Sequence, residues 1–63
     1  MGLSLKQLRL IRGKTQDDMA KLLNIHVQTY RKLEENPDEI TIKQAKIISG
    51  FLEVSYDDIF FGK

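Results

Sequence analysis

Apolar residues along the chain recur at three- and four-residue spacing almost throughout, which predicts helices. Leu5, Leu8 and Ile11 follow Ser4, a good N-cap, and Gly13 stands where helices like to stop, so a first helix is expected between them. Thr15 can cap a second helix over residues 16–23, with Asp17 and Asp18 in the first turn, where carboxylates complement the helix dipole. Met19, Ala20, Leu22 and Leu23 are its apolar positions. Asn24 tolerates the left-handed backbone that ends a helix. From about His26 to Glu35 a third helix turns Tyr30 and Leu33 inward, and Asn36-Pro37 breaks it, because the residue before proline is steered from helical angles. Thr41 caps a fourth, whose Ile42, Ala45, Ile48 and Leu52 form one stripe that Gly50 slightly weakens. Ser55, with Asp58 three residues on, opens a last turn containing Ile59 and Phe60. No hairpin signal and no sustained alternation interrupts this pattern. The expected class is all-α, with four or five short helices.

Sixty-three residues allow one domain, 1–63, with a core only marginally large enough to hold itself together. The composition, 41% apolar and 30% charged, is that of a globular chain. Without cysteine there is no disulfide framework and no thiolate chemistry, so stability must come from packing or a partner. No stretch reaches the roughly 20 apolar residues that cross a bilayer, the start lacks a signal peptide's apolar centre, and Lys6 stands where an acylation signal needs Ser or Thr. A cytoplasmic location is expected. The net charge of +1 hides an asymmetry: residues 1–32 carry seven Lys and Arg against two acids, net +5, and residues 33–63 carry net −4. One basic surface, suited to a polyanion, is consistent with this, although such charges also serve simply to solvate helix faces.

The link between the second and third helices is only about two residues long. With Asn24 in it, the chain turns sharply and the third helix crosses the second at a steep angle, with the small Ala20 at the approach. Met19, Leu23, Ile25, Tyr30 and Leu33 then share a core, leaving Val27, Gln28, Arg31 and Lys32 on the opposite face.

Three segments carry a family resemblance: Arg9-Leu10-Ile11-Arg12-Gly13-Lys14-Thr15-Gln16, then Met19-Ala20-Lys21-Leu22-Leu23, then Gln28-Thr29-Tyr30-Arg31-Lys32-Leu33-Glu34. Together they resemble the helix-turn-helix of the phage repressor and Cro family, also called XRE-like. The segment from Ile48 to Phe60 is similar to the family's last two helices, so the likeness spans nearly the whole chain. The resemblance implies a lambda-repressor-like domain of five helices. Its helix-turn-helix would lie at about 16–35, and its third helix would dock in the major groove of double-stranded DNA, usually as a symmetric dimer on a two-fold operator.

The residue chemistry agrees with that implication. The major groove, about 12 Å wide, admits one helix. Gln28 can give and take hydrogen bonds with the adenine N6 and N7 edge, Lys32 can donate to guanine or reach a phosphate, and Val27 suits a thymine methyl. His26 is placed to cap the helix, touch a phosphate or read a base. Gln16, at the start of the second helix, matches a glutamine with which family members commonly grip a phosphate, and Lys14, Thr15, Thr29 and Arg31 are candidate backbone contacts beside it. Tyr30 is read as core, with its hydroxyl at an edge that leaves a phosphate contact open. Arg9 matches a family position that often pairs with the acid corresponding to Glu34, a structural ion pair that fixes orientation more than it adds stability.

The family pattern is broken in places. Its connection after the third helix commonly carries glycine and basic residues, whereas Glu35-Asn36-Pro37-Asp38-Glu39 is acidic and would repel phosphates. Glu53 stands where glycine is common, and Lys14 replaces an apolar residue. In a complete chain of this length the dimer contact must come from the last helices, with Phe51, Glu53, Phe60 and Phe61 as candidates. An enzyme is not expected: one histidine, no cysteine, no glycine-rich phosphate loop and no clustered ligands leave nothing to hold a metal, a cofactor or a small molecule. Attachment to a membrane surface through Leu3 to Lys14 is set aside because those apolar residues are needed for the core. The competing reading is a protein-binding module of antitoxin or antirepressor type that keeps the same fold.

Overall fold

The computed structural model describes residues 3–55. They form four α-helices, α1 (Leu5–Ile11), α2 (Gln16–Leu23), α3 (Val27–Glu35) and α4 (Ile42–Leu52), with a 3₁₀ turn at Pro37–Glu39 between the last two. The expected final turn at Ile59 and Phe60 lies outside the described residues, so the count here is four helices and not five.

Three of the four helices begin where a side chain takes over an orphan amide. Ser4, Thr15 and Thr41 accept from the backbone N–H groups of Gln7, Asp18 and Gln44, whose side chains reach back to the capping residue's own N–H. These are three complete capping boxes, written in the sequence as Ser or Thr followed three positions later by Gln or Asp. α3 differs: His26 holds the cap position, but its imidazole makes no capping bond.

The ends are set by backbone handedness. Gly13, at φ 70°, closes α1 with Lys14 N–H donating back to the Arg9 carbonyl at 3.1 Å, and Asn24, at φ 57°, closes α2 with Ile25 N–H donating to Ala20 at 3.0 Å. Glu53 ends α4 at the same φ of 57°, in a conformation that strains a residue with a Cβ, and its carbonyl accepts from the Arg12 guanidinium at 3.1 Å. Pro37 starts the 3₁₀ turn, which closes when Ile40 N–H donates to the Pro37 carbonyl at 3.1 Å.

The core joins all four helices. Leu5 and Leu8 of α1, Met19 and Ala20 of α2, Tyr30 and Leu33 of α3, and Ala45, Ile48 and Leu52 of α4 are buried, together with Ile40 ahead of the α4 cap. α2 packs chiefly on α3 and secondarily on α4. Two residues expected in apolar stripes are outside it: Ile11 is 64% exposed and Ile42 is 62% exposed. The reason is angular. A strict three-residue repeat falls behind the helical period, so the third member of Leu5, Leu8, Ile11 has drifted about 120° from the first, and Ile42 sits about 120° from Ile48. The inward position four residues after Leu5 belongs to Arg9, and the space near the start of α4 is taken by Ile40, which with Ala45 occupies the two positions of a hydrophobic staple.

This division is measurable. Ile48→Ala should lower stability by about 2–5 kcal/mol in a denaturant melt while Ile42→Ala, on the same helix, changes it by less than about 0.5 kcal/mol. Glu53→Gly should raise the melting midpoint, by the equivalent of about 0.5–1 kcal/mol, because glycine adopts the left-handed angle without strain and leaves the carbonyl that Arg12 uses unchanged.

Candidate nucleic-acid interface

Three residues connect the ends of α2 and α3: Asn24 in the left-handed conformation, Ile25 partly buried on the core, and His26 exposed at the cap position. So short a link leaves α3 crossing α2 with Tyr30 and Leu33 buried, and that fixes which side of α3 faces outward. Gln28, Thr29, Arg31 and Lys32 are exposed. Gln28 and Lys32, four residues apart, lie within about 40° of one another around the helix, and Arg31 lies on the flank toward α2. Val27 departs from expectation: it is partly buried and packed against the core, so only part of it faces solvent.

The orientation of α3 is held by an ion pair. Arg9 Nε donates to Glu34 Oε2 at 2.6 Å and Nη2 approaches Oε1 at 3.5 Å, with both side chains more than nine-tenths buried. The remaining arm of the fork, Nη1, donates to the Lys14 carbonyl at 2.9 Å. One guanidinium therefore ties α1 to α3 and to the loop that leads into α2. Gln16, the first residue of α2, completes the set: its Nε2 donates to Glu34 Oε1 at 3.2 Å, and its Oε1 accepts from Arg31 Nε at 2.9 Å.

The electrostatics follow from this geometry. Burial pushes the Glu34 carboxyl upward, yet the hydrogen bonds from Arg9 and Gln16, the neighbouring Tyr30 hydroxyl and the Arg9 charge outweigh it and hold the group below the usual carboxylate range. Arg9 is held above its ordinary value, chiefly by its bond to Glu34. Tyr30 is driven far upward, first by burial and then by the adjacent carboxylate. Its hydroxyl is buried and close to the pair without a well-formed hydrogen bond to either partner, so it is enclosed and not the edge group that a phosphate could reach. Asp18 is lowered by the Thr15 backbone N–H in its capping box.

Other expected contact residues are occupied within the protein. The Thr15 hydroxyl serves the α2 cap. Lys14 is partly buried and its ammonium lies 5.0 Å from the centroid of the Phe51 ring, a cation–π contact linking the loop before α2 to α4. Phe51 is 37% exposed and Glu53 is exposed, both at the C-terminal end of α4, whereas Phe60 and Phe61 lie outside the described residues. The Lys14–Phe51 contact could not be read from the sequence, because 37 residues separate its partners. The acidic connection expected after α3 is present as the exposed Glu35, Asp38 and Glu39. Among the described residues no group of three His, Asp or Glu gathers to hold a metal, and no helix is long and apolar enough to cross a membrane.

Comparison with known proteins identifies the arrangement. A family model described as helix-turn-helix matches residues 5–59. The chain belongs to the helix-turn-helix family. Its resemblance to the phage repressor and Cro, XRE-type, group is thereby established. Among curated proteins this helix-turn-helix chain is 36% identical over 55 residues to the SPbeta prophage-derived uncharacterized HTH-type transcriptional regulator YopO of Bacillus subtilis, an alignment covering 87% of this chain and 79% of the relative. No solved structure matches significantly.

The ion pair sets a pH dependence whose sign is fixed. Because folding holds the Glu34 carboxyl below its ordinary range, its contribution is complete above the ordinary glutamate pKa and is lost as pH falls through the lower folded value. Denaturant melts from about pH 6 down to about pH 3 should show falling stability, to which Asp18 adds through its own lowered pKa. Glu34→Gln should be less stable at neutral pH, because Arg9 is left buried and unpaired, and its stability should decline less steeply over the same range. An equally steep decline in the variant would remove Glu34 as the source.

Proposed function

We propose that this chain is a sequence-specific DNA-binding transcriptional regulator, repressor or Cro-like, that reads the major groove of double-stranded DNA with α3, as a homodimer on a two-fold operator. One observation carries the reading: the buried Arg9–Glu34 pair and the buried Tyr30 and Leu33 leave α3 a single outward face, on which Gln28, Arg31 and Lys32 stand exposed together. The helix-turn-helix family membership and the regulator named among its relatives support it.

Residue roles follow from donor and acceptor chemistry. Gln28 reads adenine through N6 and N7, and Lys32, one turn further on, donates to guanine O6 or N7. Val27 offers its exposed part to a thymine methyl, and His26 lies at the groove-facing start of α3. Gln16, Lys14, Thr15, Thr29 and Arg31 are the residues from which backbone contacts are drawn. Phe51 and Glu53 lie at the end of α4, where a second copy would bring two recognition helices about 34 Å apart, one turn of DNA. A second reading, a protein-binding module on the same fold, is favoured by one feature: the exposed acids of the turn after α3 stand where a DNA backbone would be repelled.

Selection of bound duplexes from a random pool separates the two readings. DNA recognition gives an enriched site with inverted half-sites and an affinity that falls steeply with salt. On that site Gln28→Ala should lose about 1–3 kcal/mol and relax the preference at one base pair, while Lys32→Ala weakens binding. A uniform loss on all sequences from Gln28→Ala would remove it as a base reader. Failure to retain any duplex at low salt would favour the protein-binding module.

A further inference from the structure

We infer that in this chain the phosphate contact at the α2–α3 seam is made by Arg31, and that Gln16 is a positioning residue that holds the Arg31 guanidinium instead of gripping the phosphate itself. The inference rests on the DNA-binding reading above and divides the labour within it.

Gln16 has little left to offer a ligand. Its neighbours also fix which way its amide points: Glu34, ionised, can only accept and Arg31 can only donate, so Nε2 must face Glu34 and Oε1 must face Arg31. The donor end is turned toward the buried pair, at 3.2 Å from Glu34 Oε1, and the end turned toward Arg31 is an acceptor, which repels a phosphate oxygen. A single amide hydrogen is left over.

Arg31 is in the opposite situation. Only its Nε is engaged, at 2.9 Å from Gln16, so the two terminal nitrogens keep four donors in a planar fork that matches a phosphate. The side chain is exposed and lies between two surface grooves, one shared with Lys14, Thr15, Gln16 and Asp17 and the other with Ser4, Lys6 and Glu35. Of the other two cations of the first groove, Arg9 is buried in its pair with Glu34 and Lys14 lies over the Phe51 ring. Lys6 of the second groove stands on α1, so Arg31 is the exposed cation of the α2–α3 seam itself and the best placed donor there.

Gln16 matters because a free arginine on a helix surface samples many rotamers, and fixing one in advance removes much of the ordering entropy of binding. The tether is itself rigid: Arg9 holds Glu34, Glu34 holds Gln16, and Gln16 holds Arg31.

The test is a double-mutant cycle on the selected duplex, with the full chain and affinities measured at several salt concentrations. Arg31→Ala should weaken binding about tenfold and lower the magnitude of the salt slope by about one. Gln16→Ala should weaken it about threefold in the native background and have no further effect in the Arg31→Ala background, while far-ultraviolet circular dichroism shows each variant folded. Arg31→Lys should keep the salt slope, since the charge is retained, but lose affinity and lose its coupling to Gln16, because an ammonium has no Nε to be held while a fork faces outward. Full additivity of the two alanine variants, or an unchanged salt slope with Arg31→Ala beside an equal loss of affinity from Gln16→Ala in both backgrounds, would overturn the assignment and return the grip to Gln16. If the native chain retains no duplex, it is the DNA-binding reading that fails, a different result from either.

Discussion

The placement of α3 depends on one buried ion pair. Arg9 and Glu34 come from elements 25 residues apart and have both lost nearly all contact with water. Such a pair adds little net stability compared with apolar residues of the same volume, since desolvating two charges offsets most of their attraction. Its effect is directional. A carboxylate that must be met by a two-pronged donor at a fixed distance cannot be satisfied by a rotated or shifted α3, and either error would leave a charge buried alone, at a cost of several kcal/mol. In a domain this small, where apolar packing tolerates sliding, a polar lock specifies the helix register that leucines alone would not.

The same pair organises the polar groups around it. The Arg9 guanidinium also holds the Lys14 carbonyl, just before the α2 cap, and the Glu34 carboxylate also holds Gln16, just after it. The start of α2 is thus fixed from both sides by one interaction. A chain of hydrogen bonds leads from there to the surface at Arg31, so the geometry of the outward face is continuous with the interior. A further long-range contact, Lys14 over Phe51, joins the same loop to α4, at the end where the candidate dimer residue Phe51 lies.

The departures from the family pattern have local physical meanings. Glu53 adopts a left-handed angle that glycine would take freely, and the Arg12 bond to its carbonyl helps hold it there. The acidic residues after α3 are carried on a short 3₁₀ turn opened by Pro37, away from the Gln28 end of the helix, so their charge is greatest at the C-terminal end of the outward face.

Much of the architecture was determined by the amino-acid sequence alone, because helix starts, stops and inward stripes are local. Ser4, Thr15 and Thr41 cap with partners three residues away, Gly13 and Asn24 end helices through their own backbone preferences, and a spacing of three or four places Tyr30 and Leu33 together. Even so, counting in threes carried Ile11 and Ile42 into the core, where the true period of 3.6 leaves them outside. The outward set of Gln28, Arg31 and Lys32 was legible for the same local reason. The connections of those side chains were decided only by the tertiary structure. That Gln16 faces Glu34 and Arg31, that Lys14 lies on Phe51, that Tyr30 encloses its hydroxyl and that Val27 leans on the core all depend on where distant helices come to rest. A hydrogen bond or a ring contact needs atoms placed within a fraction of an ångström, and spacing along one helix carries no information about the distance to another.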